Sequence, residues 1–215
     1  MTMTVGVDLG KMVDPSVIIA VQTYRPEEQS IEDRPEKHHY VRWLEKVPLQ
    51  TSYLEVVERI ATVAERATQY GSTTIVYDAT GVGQGIDGML QKRTTIHRQA
   101  VTFTAGREVK RVGPYSVRVP KRDLAEALEI VLQSRRLHVH PDVPAEDLIA
   151  ELNTFDRTIS ELGHVSYEAG GAEPGRSGAR HDDLVMALAL ALWHGERGSH
   201  GEAFVEYWRT MAARS

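Results

Sequence analysis

Three places in this 215-residue sequence set a carboxylate where a folded chain seldom puts one. Asp8 lies inside the apolar run Val5-Gly-Val-Asp-Leu-Gly10. Asp78 closes Thr73-Thr-Ile-Val-Tyr-Asp78, directly before Ala-Thr-Gly81. Asp182 and Asp183 open the apolar stretch that follows His181. Aspartate is disfavoured in strands and is almost never fully buried alone. Each acid has an ordinary explanation by itself: a turn former, a strand-end cap, a helix N-cap. As a set they are harder to dismiss. If the strands carrying Asp8 and Asp78 are neighbours and the late helix starts over their ends, carboxylates from three distant stretches converge. Converging carboxylates raise one another's pKa, and such a cluster persists only when cations neutralise it. The chain has no cysteine, so a metal would be held by carboxylates or histidines, and hard oxygen donors select Mg²⁺ or Mn²⁺ over zinc. Two such ions roughly 3.5 to 4 Å apart can activate a water on one side of a phosphodiester and stabilise the leaving oxygen on the other. The implied chemistry is in-line phosphodiester hydrolysis.

The elements that must position these acids follow from hydrophobic patterning. Residues 4–10 and the β-branched run 16–23 read as strands joined by the short turn 11–15, hence an antiparallel hairpin. Residues 25–37, with two prolines, read as an exposed connection, and 39–47 as a third antiparallel strand. Residues 53–70 place Leu54, Val57, Ile60, Ala61 and Ala64 at helical spacing and stop at Gly71. Residues 73–78 read as a buried strand of parallel-sheet type, 83–92 as a helix and 99–104 as a further strand. Residues 107–119 are polar, basic and glycine-punctuated. Pro120 opens an amphipathic helix expected to run to about Leu137. Residues 145–155 read as helical, 163–179 as a glycine-rich loop, and 181–193 as a helix apolar on nearly every face, hence buried. A short helix is expected near 204–211. The expected fold is α/β: a mixed sheet, antiparallel in its first three strands and parallel afterwards, with helices on both faces. Residues 1–197 should form one domain and 198–215 a tail.

Successive helical residues point about 100° apart, so Asp182 and Asp183 cannot face one spot equally. Asp183 is the favoured ligand and Asp182 an additional or alternative one. His181 is a possible auxiliary ligand or proton shuttle. The remaining cations that could matter are Lys110, Arg111, Lys121 and Arg122, which flank Gly113-Pro-Tyr115, and Arg176 and Arg180, which precede the acidic helix start. Such side chains would make sequence-independent phosphate contacts that weaken with salt. Nothing resembles a base-reading module. Trp43 and Trp193 are expected to fill packing positions. The formal net charge of −5 argues against a protein that coats nucleic acid with its whole surface, yet leaves room for local basic patches. No secretory signal pattern and no apolar run near the roughly 20 residues needed to cross a bilayer is present, so a non-secreted protein is expected.

Val5-Gly-Val-Asp-Leu-Gly10, Val76-Tyr-Asp-Ala-Thr-Gly-Val-Gly83 and His181-Asp-Asp-Leu-Val-Met-Ala-Leu-Ala-Leu-Ala191 resemble, in order and spacing, the three acidic motifs of the nuclease domain of the bacteriophage terminase large subunit. The resemblance spans about residues 4–195. It implies a ribonuclease H-like fold on which Asp8, Asp78 and Asp183 bind two divalent metals and cut double-stranded DNA during viral genome packaging in the host cytoplasm, alongside the ATPase motor, the portal and the small terminase subunit. No glycine-rich phosphate loop ending in lysine and serine or threonine occurs, and Gly81-Val-Gly-Gln-Gly85 lacks the lysine. The resemblance therefore covers the nuclease half only, and the chain is expected as an excised domain or as one polypeptide of a split system. Two rivals share features. A Holliday-junction resolvase would use the same acids on branched DNA, although related resolvases often place a further acid where this chain has Met186. An actin-like nucleotide-binding module also begins with a Val-Asp-Leu-Gly hairpin, but needs two such domains and glycine-rich phosphate turns.

Overall fold

The computed structural model describes residues 1–10, 14–26, 36–81, 83–162 and 182–197, with the backbone alone at 84 and 156–162. Strand β1 (Thr2–Asp8) pairs antiparallel with β2 (Ser16–Tyr24), and β2 pairs antiparallel with β3 (His38–Val47). Helix α1 (Tyr53–Ala67) is capped by Ser52, whose hydroxyl accepts the Glu55 N–H. A single 3₁₀ turn and Gly71, at φ 153°, end it. The chain returns as β4 (Ser72–Asp78), parallel to β1 and on the side of it away from β2 and β3, the crossover through α1 having carried it across the sheet. Helix α2 (Gly83–Arg93) leads to β5 (His97–Thr104), parallel to β4. A two-residue strand β6 (Lys110–Arg111) and β7 (Ser116–Pro120) form a hairpin on that edge. Then come helix α3 (Lys121–Gln133), β8 (Leu137–Val139), α4 (Glu146–Leu162) and α5 (Asp183–Arg197). The eight strands make one sheet in the order β6-β7-β5-β4-β1-β2-β3-β8.

Alternation along each strand sends side chains to two separate cores. Met3, Val5, Val7, Ile75 and Tyr77 face α1 and α2, while Val17, Ile19, Val76, Val101, Val117 and Val119 face α3, α4 and α5. Helix α5 lies directly on β1 and β2. Its seat depends on small residues: a Cβ at Gly6 would collide with the Ala187 carbonyl oxygen and press on Ala191, and one at Gly195 would meet Thr23 Oγ1 at 2.6 Å. The spacing of Ala187, Ala191 and Gly195 is one residue every four, a stripe that lets backbone approach backbone.

The far end of α5 is anchored by a buried polar network. Lys37 Nζ donates to the Gly195 and Glu196 carbonyls at 2.6 and 2.9 Å, which fills acceptors left open at a helix C-terminus. His39, fully buried, contacts Thr23 Oγ1 at 3.1 Å through Nδ1 and Glu196 Oε1 at 2.7 Å through Nε2. Arg136 Nη1 donates to the same Glu196 oxygen at 2.8 Å. Burial pushes the Glu196 carboxyl up, but the hydrogen bonds from His39 and Arg136 and their charges win and hold it at about 2. Because this folded value lies below the ordinary one of 4.5, the associated stability is fully present above about pH 4.5 and is lost as pH falls towards 2. Glu196→Gln is expected to lower stability at pH 7 by about 3 kcal/mol, as for a broken buried ion pair. It should also flatten the acid limb of a urea-denaturation profile between pH 5 and about 2.5. An unchanged acid limb would remove Glu196 from that role.

Four expectations differ from the structure. Residues 107–119 are not simply loop, since β6 and β7 lie within them. Val117 and Val119 alternate with Ser116 and Arg118, a strand pattern too short and too charged to stand out. Helix α3 stops at Gln133 rather than running to Leu137, because Arg135 takes a left-handed conformation (φ 55°) and Leu137 begins β8. Lys37 was read into an exposed connection but is buried against α5. Trp43 is 40% exposed rather than packed, on a stretch of β3 beyond the three residues that β8 covers. Trp193 is buried as expected. The expected loop at 163–179, the helix at 204–211 and the 198–215 tail lie outside the described residues.

Candidate functional site

Pairing registers place the acids. Val7 of β1 is beside Tyr77 of β4, so Asp8 and Asp78, one residue further on, end adjacent parallel strands. Asp8 pairs with Val17, Val17 with Lys46, and Asp78 with Val101. Cross-strand partners share a face. Val101, Asp78, Asp8, Val17 and Lys46 therefore form one row across β5, β4, β1, β2 and β3, on the side covered by α5. Asp183 is the first residue of α5, and the close approach at Gly6 brings the start of that helix down onto the end of β1.

The electrostatics of Asp8 agree with this register. Burial pushes the Asp8 carboxyl well above the usual carboxylate range, and the charges of Asp78, Asp183 and Asp182 push it further in that order. Among the described residues, Lys121 pulls it down. One oxygen of Asp183, Oδ2, is buried. Asp78 Oδ1 accepts the Thr80 N–H at 2.7 Å, and the Thr80 hydroxyl in turn accepts the Phe103 N–H at 3.2 Å, which fixes the turn after β4. Among the described residues no three acidic or histidine side chains are already closed about a point a cation could occupy. That spacing suits carboxylates that repel one another, with Asp78 turned to its own backbone. The donor set is all oxygen, hard and multiply negative, with Asp8 raised by its neighbours' charge. By its chemistry this donor set would suit a hard divalent ion such as Mg²⁺ or Mn²⁺, for which Asp8, Asp78 and Asp183, with Asp182 beside them, are the available ligands.

The basic residues divide. Lys121, grouped by sequence with the DNA-contacting cations, starts α3, and its charge lowers the Asp8 carboxyl. Arg111 donates to the Gly113 and Pro114 carbonyls of its own hairpin at 3.1 and 2.7 Å, and Arg122 to the Arg107 carbonyl at 2.9 Å. Lys110 stands directly opposite Arg118, both exposed. Like charges facing across strands repel, and sequence reasoning had passed Arg118 over. His181, Arg176 and Arg180 lie outside the described residues. Sequence reasoning also missed Glu151 of α4, whose Oε2 accepts the Leu184 N–H at 3.0 Å, and gave no role to Lys46, whose Nζ is 3.4 Å from Glu151 Oε1.

No protein-family model matches the chain, and no curated protein matches it. Solved structures do. The human cytomegalovirus terminase nuclease domain aligns over 89% of this chain and 82% of its own, at 12% identity and a TM-score of 0.50. The fold is that of a terminase nuclease domain. The same viral domain soaked with Mn aligns over 88% and 81% at 15% identity and a TM-score of 0.49, and its Mn-soaked, inhibitor-bound form at 14% and 0.48. The expected ribonuclease H-like architecture, antiparallel in its first three strands and then parallel with helices on both faces, is the observed one.

Proposed function

We propose that this chain is a metal-dependent endonuclease domain that cuts double-stranded DNA with little sequence preference, as the nuclease of a viral, and specifically phage, terminase large subunit during genome packaging. The observation that carries the reading is the position of Asp8, half-buried at a strand end under the combined charge of Asp78, Asp183 and Asp182. A group of this kind, only partly offset by Lys121, opposes folding, which is the mark of a binding or catalytic centre. The terminase-like fold supports the same reading, and the Mn soaks of its structural neighbours agree with the choice of ion.

Asp8, Asp78 and Asp183 would hold two divalent cations, with Asp182 as a further ligand. When bound, these ions supply charge neutralisation at the scissile phosphate and activation of the attacking water. The chain's own residues do the rest. The sheet row fixes Asp8 and Asp78 side by side, α5 delivers Asp183 from above, and Lys121 offsets part of the local negative charge. Strand β6 is three strand spacings from β4, and its residues pair at the level of Asp78 through Val117 and Val101. Lys110 and Arg111 therefore lie about 14 Å along the sheet from the acids, within the width of a duplex. Together with Arg118, Arg122 and, from the undescribed stretch, Arg176 and Arg180, they would bind backbone phosphates. His181 remains an auxiliary candidate. The working partners would be the packaging motor, portal and small subunit in the host cytoplasm. Among the described residues no helix is long and apolar enough to cross a membrane.

The deciding experiment compares linear, supercoiled and four-way-junction DNA with Mn²⁺ and with chelator. Cleavage of linear and supercoiled duplex at similar rates, abolished by chelator, is the expected result. A marked preference for the junction would assign the chain to the resolvases, and no metal-dependent cleavage of any substrate would remove the nuclease reading.

A further inference from the structure

A helix that starts with aspartate ordinarily spends that carboxylate on its own N-cap, accepting the N–H groups two or three residues on. Helix α5 is built otherwise. The N–H of Leu184 goes to Glu151 Oε2 at 3.0 Å, and Glu151 also accepts from the Val185 N–H. Glu151 sits 33 residues earlier on α4, with its side chain only 15% exposed. It is held in turn by Lys46, whose Nζ is 3.4 Å from the other carboxylate oxygen and 3.1 Å from Asp147. Lys46 belongs to the same sheet row as Asp8, two strands away. One chain of contacts thus runs from the row that carries the acids, through Lys46 and Glu151, to the first turn of the helix that carries Asp183.

We infer that Glu151 is a positioning residue for the acidic centre. It caps α5 from outside by taking the Leu184 and Val185 N–H groups, which fixes where the helix that carries Asp183 begins, and Lys46 orients it. The inference rests on the nuclease reading above, for it concerns how that site is held. Partners of this kind that orient a metal ligand characteristically change metal affinity by 10–100-fold when lost.

The test measures Mn²⁺ binding to the full chain by isothermal titration calorimetry, beside thermal melting in chelator. Three variants separate a hydrogen-bonding role from a charge role. Glu151→Gln keeps a carbonyl oxygen at the same reach and can still accept the Leu184 N–H. Glu151→Asp keeps the charge but is one methylene short, and Glu151→Ala keeps neither. Mn²⁺ affinity within about threefold of wild type for Glu151→Gln, and about tenfold or more weaker for Glu151→Asp and Glu151→Ala, is the expected pattern. If Glu151→Ala does not fold, the contrast between the other two decides. Equal affinity in every variant, or loss in Glu151→Gln with retention in Glu151→Asp, overturns the positioning role while leaving the nuclease reading intact. Wild-type protein that binds no Mn²⁺ sinks both.

Discussion

Asp78→Asn is expected to reduce Mn²⁺-dependent plasmid degradation by roughly a thousandfold or more while the protein melts at a near-normal temperature. The two outcomes separate because the hydrogen bond and the charge of this carboxylate do different work. Oδ1 accepts the Thr80 N–H and shapes the turn after β4, and an asparagine oxygen can do the same. What asparagine lacks is the negative charge that acts on Asp8 and would draw in a cation. Gel assays on supercoiled and linear plasmid over a Mn²⁺ series, with calorimetric melting of both proteins, give the comparison. Cleavage by Asp78→Asn at wild-type rate would take Asp78 out of the site. A parallel loss of folding would show that the turn, not the charge, is what the residue supplies.

Asp8→Asn should move stability and activity in opposite directions. Burial is the larger cause of the raised Asp8 carboxyl, and repulsion from Asp78, Asp183 and Asp182 adds to it. An ionised Asp8 in metal-free protein is therefore a destabilising group. The sign follows from linkage: with the folded value above the unfolded 3.8, its favourable contribution exists at low pH and fades as pH rises through 3.8 towards the folded value. At neutral pH the variant should be more stable than wild type in chelator by about 1–3 kcal/mol, a rise of roughly 2–10 °C in melting temperature for a domain of this size. It should also gain far less from added Mn²⁺, since ligand-linked stabilisation scales with affinity. A less stable metal-free variant would mean that Asp8 is compensated by protein groups, and the case for a cation there would fall with it.

Much of this was legible because it is local. The hairpin signal at 4–23, the helical spacing at 53–70 and the apolar run from Leu184 each report a periodicity that one segment carries by itself. Residues 107–119 failed for the same reason inverted. A five-residue strand with arginine in its middle has too few alternations to outweigh its charge, and only pairing with β5 makes it a strand. Arg135 gave no warning that α3 would stop there, since a left-handed residue that is not glycine leaves little trace in composition.

Taken by itself the sequence determined which residues could do chemistry, the elements that carry them and, through hard oxygen donors without thiols, the kind of ion they would prefer. Tertiary structure decided the rest. The pleat and register put Asp8 and Asp78 on the face that α5 covers, and Gly6 lets Ala187 come close enough to set Asp183 over them. The charge of Lys121 came to bear on Asp8, and Glu151 became the cap of a helix 33 residues away. These outcomes depend on which surfaces meet after the chain has crossed over, and short-range patterning carries no information about a contact whose partners are far apart in sequence.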